Sequence, residues 1–449
     1  MNYPLFLVLV VAILAYSLVI GKNSSKGIKD DTDYFLSGRS LGFFYIFMTI
    51  LATQLGGGAI IGTAEAAYLH GWKSMSYSSG IALGLIFLAF GIGAKFRRMN
   101  ISTIPELFQT VYKSENLRIF SSLLYIVSMF LLLVAIGVSA RKFAHSIGFS
   151  SELVFMAFWG VIIAYTTTGG LTAVTKTDIL QILFVLLAFA LTFLYLPKNI
   201  EFAYVEKVPD LTAQAIPWFN WLIIPCLSNI IGQDMAQRCF AAKSTKIVPY
   251  AMISAAAVLI VATLLPTYLG ILASKMGIEA SGSSVLIAVV SKLTNPYITS
   301  IFSAAILMAI LSTADSVLCA LSSNISLDFD LFKKNKEKRN TNSSKLVTVT
   351  VGVTAMLASF FSEEIIPLMI VSYGVTISAL FVPIIAAMIF KNPHQRSAYC
   401  ACISGFITFT YFLFFTNYDY KAIISILISL IAFCFSEAFL KDNKKGRQN

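Results

Sequence analysis

The chain has 449 residues, of which 57% are hydrophobic and 12% charged, with a mean hydropathy of +0.79. Soluble proteins carry roughly 25% charged residues, so a water-facing globular surface is excluded, and disorder is excluded because it needs low hydrophobicity. The net charge of +11 does not indicate nucleic acid, because the basic residues fall in short loops between apolar runs. Six cysteines without a CxxC pair, and the scattered His70, His145 and His394, offer neither a disulfide framework nor a metal cluster.

What remains is a polytopic membrane protein. A spanning helix needs about 20 mostly apolar residues. Thirteen stretches qualify, at approximately 3–21, 42–69, 74–96, 119–140, 151–168, 174–197, 217–238, 247–274, 296–325, 345–361, 365–390, 398–416 and 421–440. The first lacks a basic n-region and is followed by Lys22, Lys26 and Lys29, so it reads as a retained helix rather than a cleaved signal. With thirteen spans, 25 of the 33 Lys and Arg residues fall on one side and eight on the other. The positive-inside rule then places the N-terminus outside and the C-terminus in the cytoplasm. The largest basic loop, Lys333 to Lys345, reads as a cytoplasmic anchor.

The second stretch carries consecutive Gly56, Gly57 and Gly58. Each glycine costs a helix roughly 1 kcal/mol against alanine. Two readings fit: a close crossing of helices through small residues, or a broken helix whose free carbonyls hold a cation and whose half-helix ends face a solute. Glu65, seven residues on, reads as structural or gating.

In the ninth stretch, Ala309, Ser312, Thr313 and Ser316 share one helical face by their spacing. Their carbonyl and hydroxyl oxygens suit a hard cation such as Na+, although such hydroxyls also bond back to the preceding turn. Asp315 lies among them, and an intramembrane carboxylate marks a functional site by default. Asp178 is the second such carboxylate. It reads either as an interfacial residue at a helix start or as an ion ligand or proton acceptor reached from the cytoplasmic side. Gln233, Asp234 and Arg238 close the seventh stretch and read as a helix-end salt bridge with loop packing.

Four segments, in order, resemble the sodium:solute symporter family: DYFLSGRSLG (33–42), ATQLGGGAIIGTAEAAY (52–68), YTTTGGLTAVTKTDILQ (165–181) and AILSTADSVLCALSS (309–323). The resemblance covers essentially the whole chain. It implies an all-α, LeuT-type fold with two inverted five-helix repeats. Residues 1–41 would form a leading helix and loop, 42–390 the ten-helix core, and 391–449 two accessory helices and a basic tail. It also implies alternating access driven by Na+. Short loops and the absence of a targeting extension point to a bacterial inner membrane, no nucleophile–base pair or metal cluster converges to suggest enzymatic activity, and a monomer or weak oligomer without a cofactor is expected.

By the same resemblance, one sodium site would use the carbonyls of Ala52, Leu55 and Ala309 with the hydroxyls of Ser312 and Thr313. A second would use Asp178, Ser312 and Ser316. Asp315 departs from the family's serine, which leaves open one Na+ beside extra negative charge, a coupled proton, or no second site. The solute would meet Gln54, Gly56, Gly58, Ser78 and Tyr373. Choline carriers place tryptophans where this chain has Gln54, Leu131 and Gly232, and sialic-acid carriers place an arginine near Leu131. A small polar or zwitterionic solute such as proline therefore fits best. The alternatives are proton coupling on the same fold, or a non-concentrating sensor or channel.

Overall fold

The computed structural model describes residues 1–149, 151–197, 218–278, 284–329, 341–362, 366–416 and 418–445. In hydrocarbon a backbone N–H must find its partner within its own segment. Accordingly the apolar segments among the described residues are helical, and the β-pairing there is one isolated bridge between Leu41 and Ala242. Ten helical stretches among them have the length and hydropathy to cross a membrane, and Phe43–Gln54 and Trp218–Ile231 are apolar but shorter. Most of the basic loop Lys333 to Lys345 lies outside the described residues.

Helix α1 (Tyr3–Ser25) leads to the short α2 (Asp31–Leu36). The second apolar stretch is indeed interrupted: α3 (Phe43–Gln54) stops, residues 58–62 form a wide π turn, and α4 (Thr63–His70) resumes. The third is α5 (Met75–Phe87) and α6 (Gly93–Met99), kinked at Gly91 with φ 118°. After α7 (Ile104–Tyr112) comes the long α8 (Glu115–Ser146). Helix α9 (Glu152–Tyr195) joins the fifth and sixth predicted stretches, but its backbone turns at Gly170, with φ 53° and ψ −150°. A Cβ there would approach the Tyr34 carbonyl oxygen to 2.2 Å, so α2 docks into the bend.

The seventh stretch is also broken. Helix α10 (Trp218–Ile231) ends, Gly232 is extended (φ −61°, ψ 130°), and α11 (Gln233–Ala241) begins. The remainder is α12 (Ile247–Lys275), α13 (Val285–Leu293), α14 (Pro296–Asp328), α15 (Thr341–Ala358), α16 (Ile366–Ile389), α17 (Gln395–Phe415) and α18 (Lys421–Lys445). Cys226, Cys239, Cys319 and Cys402 are buried as small apolar residues, whereas Cys400 and Cys434 are exposed on the outer helices.

Helix α14 is the axle of the bundle. Its most apolar window is 94% buried, so the polar groups on it face protein and not lipid. Asn295 caps it, accepting from the Tyr297 and Ile298 N–H groups at 3.0 and 2.9 Å, and Pro296 suits the first turn. At the other end Asp328 accepts from Arg118 Nη2 at 2.9 Å and from Thr103 Oγ1 at 2.7 Å. Arg118 Nη2 also donates to the Leu327 carbonyl at 2.8 Å, satisfying an orphan of the last turn. Helices α1, α3, α8, α9 and α15 pack around α14. Helices α17 and α18 pack mainly on each other and on α16.

Candidate functional site

The site starts where α3 stops. A helix leaves its last four carbonyls without intrahelical partners and concentrates partial negative charge there. Here those carbonyls meet two hydroxyls of α14. Ser312 Oγ donates to the Ala52 carbonyl at 3.1 Å and to the Ala309 carbonyl at 3.0 Å. Thr313 Oγ1 donates to the Thr53 carbonyl at 3.2 Å and to the Ala309 carbonyl at 3.1 Å. Leu55 caps the break with φ −87° and ψ 46°. The approach is close enough to demand glycine: a Cβ at Gly56 would lie 1.9 Å from Thr313 Oγ1. Ala52, Ala309, Ser312 and Thr313 are thus drawn into one cluster of oxygen atoms, with the Leu55 cap beside it.

A second polar cluster lies deeper between α3, α9 and α14. Thr49 Oγ1 donates to Asp178 Oδ2 at 2.5 Å, and the Tyr165 hydroxyl donates to Asp315 Oδ2 at 2.5 Å. Thr53 Oγ1 and Ser316 Oγ are 2.9 Å apart. Asp178, Asp315 and Ser316 are all fully buried. The helix-start reading of Asp178 is therefore corrected: it stands about two turns beyond the bend at Gly170, inside the bundle.

Arg238 also belongs to this cluster, and the reading of it as a helix-end salt bridge is overturned. The break at Gly232 turns α11 inward, and Arg238 is 0% exposed. Its Nη2 donates to Thr53 Oγ1 at 2.8 Å and to Ser316 Oγ at 2.6 Å. Its Nη1 donates to the backbone carbonyl of Asp234 at 2.8 Å rather than to that side chain. Gln233 and Gln237 are buried too, holding the Ile104 N–H at 2.7 Å and the Phe35 carbonyl at 2.9 Å respectively.

A cavity of about 840 Å³ opens beside the first cluster. Gln54, Gly56, Gly58, Tyr77, Asn229 and Tyr373 help to line it, and Thr313 joins it to the oxygen cluster. Gln54 Nε2 donates to Asn229 Oδ1 at 2.7 Å across the gap between the two broken stretches. Glu65 and Asp234 reach the wall as well. Ser78 does not line the cavity. It is fully buried with its hydroxyl 3.5 Å from Thr63 Oγ1. One residue along a helix is a turn of about 100°, and on α5 it is Tyr77 that faces the cavity.

Thr49, Thr53, Tyr165, Tyr77, Asn229 and Arg238 were not singled out as site residues from sequence. Thr49 and Thr53 carried a usable signal, since they share a face four residues apart, immediately before the glycines. Arg238 carried none, because its inward path depends on the break at Gly232.

Comparison with known proteins identifies the family and the fold. The profile of the sodium:solute symporter family matches residues 34–213 and 200–405. The sodium/pantothenate symporter of Haemophilus influenzae is 27% identical over 453 residues, covering 93% of this chain and 91% of its own length. The sodium/proline symporter of Staphylococcus aureus is 25% identical over 431 residues, covering 89% and 82%. Among solved structures, a substrate-bound, outward-open Na+-coupled sialic acid symporter superposes with a TM-score of 0.83 at 18% identity, covering 97% of each chain. A nucleobase-cation-symport-1 family transporter in a closed conformation gives a TM-score of 0.64 at 12% identity, covering 91% and 94%. These neighbours share the LeuT-type fold, and the relatives are transporters and not enzymes. The oxygen cluster at the broken α3, the cavity beside it and the family match over most of the chain lead to one conclusion: this multi-pass plasma-membrane protein belongs to the sodium:solute symporter family.

Proposed function

We propose that this protein imports a small polar organic solute together with Na+ by alternating access, and that the solute is an amino acid such as proline or a related zwitterion. Na+ is the coupling ion of the family to which the chain belongs. The observation that carries the reading is the meeting of the broken α3 with Ser312 and Thr313 at the wall of the cavity. In this reading Na+ is held by the carbonyls of Ala52, Leu55 and Ala309 and by the two hydroxyls, each of which has lone pairs to offer beside its proton. Bound Na+ ties α3 to α14 and favours the solute-binding conformation, and the solute tightens Na+ in return by linkage.

Gly56 and Gly58 expose backbone to the cavity, while Gln54, Asn229 and Tyr373 supply neutral hydrogen-bonding groups. A solute carboxylate against the glycine-rich break and the bound Na+ fits this lining. Proline, pantothenate and sialic acid, named for the relatives and the neighbour, all carry a carboxylate. The breaks near Gly56 and at Gly232 open the two halves of the 42–390 core, as inverted repeats require. Thirteen crossings follow when α3 with α4 and α10 with α11 each span once, the 58–99 run past the break adds one through α5 and α6, and α9 spans twice about Gly170. The N-terminus is then outside.

The test is uptake by the purified protein in liposomes, offering radiolabelled proline, pantothenate, sialic acid and choline under a Na+ gradient, a proton gradient or neither. Proline accumulation that requires Na+ is expected. Thr313→Ala and Ser312→Ala should raise the Na+ half-saturation at least about tenfold while leaving the order of solute preference intact. Accumulation driven by protons alone, or mere equilibration, would sink the reading.

A further inference from the structure

We infer that Arg238 is a tethered cation at the second ion position, so that a single Na+, held at the Ser312–Thr313 cluster, accompanies each solute. The inference rests on the symporter reading above and adds its stoichiometry. Thr53 Oγ1 and Ser316 Oγ lie 2.9 Å apart, and Arg238 Nη2 donates to both, at 2.8 and 2.6 Å. The proton of Thr53 is directed to the Thr49 carbonyl at 2.8 Å, so its lone pairs are what the guanidinium takes. Any metal ion bound to Asp178 and Ser316 would need the hydroxyl oxygen that Arg238 already holds. Two positive charges sharing one pair of buried oxygens repel strongly, because little water screens them.

Charge makes the same point. Asp178 and Asp315 interact electrostatically, each accepts from one hydroxyl donor, and each retains a buried Oδ1 without a hydrogen-bond partner among the described residues. A buried carboxylate that stays ionised needs positive charge beside it. A guanidinium provides it permanently, since arginine keeps its proton in proteins. It is also anchored: Nη1 is held by the Asp234 carbonyl one turn back on α11, and the residue is fully buried. Helix α11 therefore brings into the second cluster the charge that a dissolved ion would otherwise supply.

Equilibrium dialysis of the purified full-length protein against 22Na+ tests this without knowledge of the solute. The native protein should bind one ion per chain without cooperativity, and Arg238→Lys should leave that count at one. Arg238→Ala should raise it to two, and Asp178→Asn in that background should return it to one. If Arg238→Ala does not fold, Ser316→Ala decides: its Na+ affinity should stay within about twofold of native, whereas Thr313→Ala should lose at least about tenfold. Two ions bound by the native protein, a tenfold loss in Ser316→Ala, or a folded Arg238→Ala that still binds one ion would each overturn the inference and leave the symporter reading standing. No bound Na+ at all would overturn the symporter reading itself.

Discussion

Position 56 has room for a hydrogen atom and nothing larger, since a Cβ there meets Thr313 Oγ1 at 1.9 Å. Gly56→Ala should lower stability by about 1–3 kcal/mol through overpacking. Gly56→Ala with Thr313→Ala should recover part of that loss, because Oγ1 is gone while Thr313 Cβ still stands 3.0 Å from the added carbon, yet remain weak in Na+ binding. A double-mutant cycle of thermal unfolding read beside Na+ titration separates the two effects. At this scale the sequence was most informative where chemistry resides in the side chain or in helical spacing. The hydroxyls of Ser312, Thr313 and Ser316 and the carboxylates of Asp178 and Asp315 could be picked out directly. Ser78 was placed on the wrong face, because motif alignment does not resolve which of two adjacent residues on a helix looks into a cavity.

Among the elements, apolar length revealed the helices, and the glycine run revealed the break after α3. The break between α10 and α11 was hidden, because Gly232 stands alone in ordinary surroundings. That one omission sent Arg238 to the surface in the reading of the sequence. The bend in α9 had a better signal in Gly169 and Gly170, and its cause is now clear: Gly170 has φ 53° and lies against the Tyr34 carbonyl. Gly170→Ala adds both backbone strain and a steric clash, so a loss of about 1–3 kcal/mol or more is expected. Thermal unfolding in detergent should show the lowered midpoint, and the α2 side of the bend should become more accessible to proteases. A substitution of Ala at Gly160, where nothing lies within 4 Å of the added carbon, serves as the control.

For the molecule as a whole, the side of the membrane occupied by each terminus follows from charge bias rather than from the packed helices. A green fluorescent protein fused after Asn449 should fluoresce, and alkaline phosphatase at the same point should be inactive, if the C-terminus is cytoplasmic. Na+ should raise the unfolding midpoint relative to K+, since a ligand at 100 times its dissociation constant adds about 2.7 kcal/mol to the folded state. Loss of that difference in Thr313→Ala, but not in Ser316→Ala, would match the assignment of Na+ to the first cluster. The overall fold was legible because hydropathy and order of motifs are global signals. The architecture of the second cluster was not, because it is assembled from α3, α9, α11 and α14 across most of the chain.

The near-complete enclosure of α14 has a consequence for how the bilayer acts on this protein. The outer helices offer their surfaces to lipid tails: the most apolar windows of α17 and α18 are 28% and 22% buried within the protein, against 94% for α14. Changes in acyl-chain length or lateral pressure thus press on a casing, and reach the oxygen atoms of the axle only through the helices packed around it. Sodium affinity should therefore hold nearly constant from thin to thick membranes, while the speed of reorientation, which requires the casing to rearrange against lipid, should vary.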